Sequence, residues 1–71
     1  MSITPAVIVG SVYRTPWEPS GLFRVTLIEP DNGRGETAFG VFVGDHPQGY
    51  KDGSNGRYYV RELYGREVIA G

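Results

Sequence analysis

Eleven glycines and five prolines cut this chain into short runs of β-branched and aromatic residues. No run between them is both long enough and periodic enough to make an amphipathic helix. The sequence therefore predicts an all-β chain in which glycine and proline mark the turns.

A chain of 71 residues makes one domain, residues 1–71, and surface scaling lets it bury roughly 60% of what its unfolded form exposes. A deep, enclosed catalytic cleft is not expected of it. The absence of cysteine removes disulfides, thiolate metal sites and cysteine nucleophiles, so apolar packing has to hold the fold. The apolar run at residues 6–9 is far shorter than the roughly 20 residues of a membrane span and lacks the basic flank of a signal peptide. A soluble, cytoplasmic protein with no membrane partner is expected. Seven basic side chains against eight acidic ones give a formal charge of -1, so the chain as a whole has no field that draws in polyanions.

Residues 6–14 read as a strand bent at Gly10, where the missing side chain permits a bulge. Residues 15–21, with Pro16, Pro19 and Gly21, read as a loop. Residues 22–29 set Phe23, Val25 and Leu27 against Arg24 and Thr26, the alternation of a strand with one wetter face. Next comes Asn32-Gly33, a dipeptide that supplies positive φ to a tight hairpin turn, and residues 36–43 return as the partner strand. Residues 44–56 form a long loop with two further turn dipeptides, Asp52-Gly53 and Asn55-Gly56. Residues 57–63 alternate as a strand, and 67–70 close the chain as a short one. Four strands and a short fifth predict a small antiparallel five-stranded barrel of SH3-like form, with an OB-like barrel or an open antiparallel meander as alternatives. Most of Phe23, Phe39, Phe42 and Tyr58 are expected to belong to the core.

Catalysis can be tested by inventory. The single histidine, His46, has no second histidine to complete a metal-ligand set and is expected as an exposed loop residue. The carboxylates stand mostly at turns and strand ends, where they are solvated, and no serine occupies a nucleophile elbow. Gly33-Arg34-Gly35 is followed by a strand, whereas a phosphate-binding loop needs a helix N-terminus there. No enzyme activity, metal or cofactor is expected.

What remains is a mixture of arginine and aromatics: Trp17, Arg24, Tyr50, Arg57, Tyr59 and Arg61. Alternation along residues 57–63 puts Arg57, Tyr59, Arg61 and Leu63 on one face, which Arg24 and Thr26 extend if strand 22–29 lies alongside. Arginine offers directional hydrogen bonds to carboxylates or phosphates, and aromatics offer desolvated contact area. Trp17, on its Pro-rich loop, reads either as an interface anchor or as a cap on the open end of a barrel. The expected function is a non-catalytic binding module or regulator that engages a protein partner. The alternatives are a single-stranded nucleic acid on the same face and a structural subunit of a homo-oligomer. Size and composition also suit an accessory protein of a phage or mobile element.

Overall fold

The computed structural model describes residues 7–31 and 33–68. Within them the elements run β1 (Val12–Arg14), β2 (Leu22–Glu29), β3 (Thr37–Val43), β4 (Asn55–Tyr59) and one helical turn, α1 (Val60–Leu63). The strands make a single antiparallel sheet in the order β1-β2-β3-β4. The all-β domain is present as a four-stranded meander, and its sheet is open, not closed into a barrel.

β1 is shorter than the strand expected over residues 6–14. Gly10 has φ +96°, and Ser11 N–H donates back to Ile8 C=O (3.2 Å), a turn whose third residue must be left-handed. Gly10 and Ser11 then face Val25 together: Gly10 N–H donates to Val25 C=O (2.7 Å) and Val25 N–H to Ser11 C=O (3.1 Å). That two-against-one pairing is a glycine bulge, and regular pairing starts just after it. Ala6 lies outside the described residues.

The β2–β3 ladder slips between Val25 and Leu27, leaving Thr26 as a bulge. Side chains alternate along a strand, so a one-residue slip exchanges the faces beyond it. Leu27, expected inside, is therefore 54% exposed, and Ile28 packs on the core in its place. The hairpin turn stands where the sequence put it, though Asn32 is outside the described residues. Asp31 Oδ1 accepts the N–H groups of Gly33 (2.7 Å) and Gly35 (2.9 Å), and both glycines have positive φ.

The loop between β3 and β4 is residues 44–54, and it is closely hydrogen-bonded. His46 N–H donates to Tyr50 C=O (2.7 Å) and Gly49 N–H to His46 C=O (2.8 Å), a three-residue reversal with Pro47 leading and Gly49 left-handed. Further along, Gly53 N–H donates to Phe42 C=O (2.8 Å) and Phe42 N–H to Ser54 C=O (2.9 Å), which repeats the bulge at Gly10. Asn55 and Gly56, expected as a turn, instead open β4.

The strand expected over residues 57–63 divides. Arg57 to Tyr59 belong to β4, and the chain then turns into α1. Val60 and Leu63 are one helical turn apart and both buried, so the helix buries two apolar groups where a continued strand would bury them on opposite sides. Tyr59 N–H donates to Glu62 Oε1 (3.0 Å), a cap for the first turn, and Gly65 at φ +73° ends it. Of the closing strand expected over 67–70, Glu67 makes one antiparallel bridge with Tyr13. Arg14 N–H to Arg66 C=O (2.9 Å) and Val68 N–H to Val12 C=O (2.8 Å) flank that bridge. Residues 69 and 70 lie outside the described residues.

The core lies on one face of the sheet, where Tyr13, Phe23, Val25, Ala38 and Phe42 meet Val60 and Leu63 of α1. Each large side chain withdrawn there contributes about 1.5–3 kcal/mol of apolar burial. Phe39, expected in the core with Phe23, Phe42 and Tyr58, is only half-buried and belongs to the opposite face.

Candidate functional site: the outer face of the sheet

Residues directly opposite one another in a sheet share a face, so the ladder fixes what the outer face carries. Arg14 pairs with Leu22, and Leu22 with Val43. Val12 pairs with Arg24, Arg24 with Val41, and Val41 with Asn55. Leu27 pairs with Phe39, and Phe39 with Arg57; Glu29 pairs with Thr37, and Thr37 with Tyr59. The inner residues of β3, Ala38, Gly40 and Phe42, are all buried, whereas Thr37, Phe39, Val41 and Val43 remain partly open. The outer face thus carries an apolar band of Leu22, Leu27, Phe39, Val41 and Val43, with Arg24 between the two leucines on β2, Arg14 beyond them on β1, and Arg57 and Tyr59 along β4. A shallow groove of about 380 Å³ crosses its hairpin end between Glu29, Arg34, Phe39, Arg57 and Tyr59.

Three of the residues singled out from sequence, Arg24, Arg57 and Tyr59, stand on this face. Arg24 lies across β3 from β4, with Val41 between it and Asn55, so it does not adjoin Arg57 as a side-by-side pairing would have it. Arg61 leaves the strand with α1, and Leu63 goes to the core. Even so, the Arg61 guanidinium comes back over the Tyr59 ring at 4.3 Å, a cation–π contact. Its Nη1 also donates to Arg34 C=O (2.7 Å), which clips the β2–β3 hairpin to α1.

Trp17 and Tyr50 stand elsewhere. In a meander the β1–β2 and β3–β4 connections leave the sheet at the same end, and here they are joined: Thr15 and His46 are buried and hydrogen-bonded (Oγ1 to Nε2, 3.0 Å). Trp17, on the first loop, is 67% exposed. Tyr50, on the second, is 48% exposed, and one face of its ring lies parallel to Phe42 at 4.6 Å. Behind that stack, burial raises the Tyr58 phenol above the ordinary 10.0, with Tyr50 and Glu62 adding to the shift.

His46 is the plainest departure from expectation, since it is only 6% exposed. Its Nδ1 accepts Gln48 N–H (3.0 Å), so in the neutral ring the proton sits on Nε2 and points to Thr15 Oγ1. Thr15 Oγ1 also accepts Gly21 N–H (2.8 Å). The histidine is a tie between loops. Among the described residues no three carboxylate, histidine or cysteine side chains gather as a metal site, and no helix is long and apolar enough to cross a membrane.

The apolar half of the outer face escaped the sequence reading. Its signal was present in β3, where Phe39, Val41 and Val43 alternate with Ala38, Gly40 and Phe42. A strand that is apolar on both sides needs cover on both sides. Compared with protein-family models, with curated proteins and with solved structures, the chain matches none of them.

Proposed function

We propose that the chain is a non-catalytic binding module that engages a protein partner through the outer face of its sheet. The observation that carries this reading is the exposed apolar band on that face, with Leu27 54% and Leu22 37% exposed beside Arg24, Arg57 and Tyr59. Contiguous apolar surface edged by polar groups is the usual mark of a contact surface, and aromatic and arginine side chains are the types enriched in such contacts. Trp17 and Tyr50, on the tied loops, form a second contact point at the sheet's end.

Single-stranded nucleic acid on the same residues is the weaker reading. Stacking needs open ring faces, and the Tyr59 ring already carries Arg61 at 4.3 Å, while Tyr50 has one face against Phe42. A catalytic role is not proposed, because both ring nitrogens of His46 are engaged. The finer fold reading, an SH3-like five-stranded barrel, draws support from β1's pairing with residues 66–68, from the bend of β2 at Thr26 and from α1 between β4 and that segment. It would use residues 67–70 as the fifth strand.

A photo-crosslinker placed at Leu27, with the same group at Tyr64, exposed just after α1 on the other side of the sheet, as control, tests the function in cells that make the protein. Capture of one protein from Leu27, lost when Arg24 and Arg57 are changed to serine, is the expected result. Capture of nucleic acid alone, or no difference between the two sites, overturns it.

A further inference from the structure

The hydrogen-bond phase of the sheet shows which backbone groups of β4 are already used. On either side of the β3–β4 ladder, Phe42 N–H donates to Ser54 C=O (2.9 Å) and Val60 N–H to Glu36 C=O (2.9 Å). Antiparallel ladders alternate bonded and non-bonded pairs, so Gly40 with Gly56 and Ala38 with Tyr58 are the bonded pairs between them. Asn55, Arg57 and Tyr59 therefore turn their N–H and C=O groups away from β3. The Tyr59 N–H is taken by Glu62, as that phase requires. Among the described residues nothing pairs with Asn55 or Arg57 on this edge, and both are exposed. The opposite edge of the sheet differs, because residues 66–68 cover β1 there.

An uncovered strand edge is a template for another strand. A second copy of the chain is a poor occupant: pairing β4 with itself puts two Arg57 side chains on one face, directly opposed or one diagonal apart, and like charges there repel. The arginine that disfavours self-pairing suits an anionic segment. Arg14, Arg24 and Arg57 share the adjoining face with a single acid of the ladder, Glu29, although the whole chain is at -1.

Resting on the binding reading above, we infer that β4 accepts an added strand: a short, extended, acidic segment of the partner protein, hydrogen-bonded at Asn55 and Arg57. Its alternate side chains stand beside Arg57 on the outer face, with Phe39 one strand further in. Glu62 at the Tyr59 N–H ends the pairing.

The test uses the full chain labelled with ¹⁵N, the arginine side chains included. The probes are three synthetic octapeptides with blocked ends: alternating Glu and Val, alternating Lys and Val, and the Glu peptide with a central proline. The expected result is slowed hydrogen exchange at the Asn55 and Arg57 amides with the Glu peptide alone, together with a shift of the Arg57 Nε–H signal on the outer face. A side-chain shift without exchange protection overturns the strand edge and leaves the outer face as the contact. Protection without a side-chain shift keeps the edge and removes the face. Equal protection by the Lys peptide overturns the acidic occupant, and no response to any peptide at millimolar concentration overturns the inference. Two variants follow. Asn55→Pro deletes one outward donor and weakens the Glu peptide by about tenfold, and Arg57→Glu reverses the preference toward the Lys peptide.

Discussion

Glycine does two jobs in this chain, and the structure separates them. At Gly10, Gly33 and Gly53 it supplies positive φ, the role legible in the sequence. At Gly40 and Gly56, which pair across β3 and β4, it supplies room. A Cβ at Gly40 would run into the Arg24 carbonyl, and one at Gly56 would reach the Phe42 ring at 2.8 Å. Gly40→Ala is expected to cost about 1–3 kcal/mol by overpacking, read as a lowered urea midpoint; an unchanged midpoint would mean that β2 and β3 are not so close. Thr15→Val leaves Gly21 N–H and the His46 ring without their shared partner, a buried loss of about 1–3 kcal/mol. Urea unfolding measures that too, and hydrogen exchange should speed up in both tied loops. Asp31 is a test by pH. The N–H groups of Gly33 and then Gly35 hold its carboxyl below the ordinary 3.8. A depressed folded value means that the carboxylate's contribution is present above the unfolded value and is lost as pH falls through the folded one. The amide shifts of Gly33 and Gly35 should therefore titrate with a midpoint below 3.8, and a midpoint at or above it would break the assignment.

At the scale of elements, strand existence was readable and strand phase was not. Residues 22–29 and the returning strand announced themselves by alternation around Asn32-Gly33. Thr26 gave no sign of the bulge that turns Leu27 out and Ile28 in, because a bulge is decided by how β2 bends against its neighbour. Paired substitutions test it: Ile28→Ala should cost roughly 1–3 kcal/mol, and Leu27→Ala less than about 0.5 kcal/mol. Equal costs would restore the simple alternation. The helical turn was hidden for a similar reason, since four residues are too few to show a period, and Val60 and Leu63 fit a strand reading until Glu62 is seen capping Tyr59. One repeat was overlooked. Gly10-Ser11 and Gly53-Ser54 build the same turn and bulge before β1 and β4, whereas the turn expected at Asn55-Gly56 falls inside β4. Gly33→Val at φ +103° should still cost about 1–2 kcal/mol in the hairpin.

For the molecule as a whole, the outer face sets two forces against each other, and salt tells them apart. Leu22, Leu27, Phe39 and Val41 would favour burial against a second copy, while Arg24 and Arg57 on the same band would be brought against their own kind. Near 0.05 M salt the screening length exceeds about 10 Å, and near 1 M it falls to roughly 3 Å. Raising salt therefore relieves arginine repulsion between copies while leaving apolar attraction in place. Sedimentation should show a monomer at low salt and growing self-association at high salt. Attraction to an acidic partner has the opposite sign and weakens as salt screens the ion pairs. An oligomer already stable at low salt would mean that the apolar band outweighs its arginines, which is the behaviour of a structural subunit and not of a module kept free for another protein.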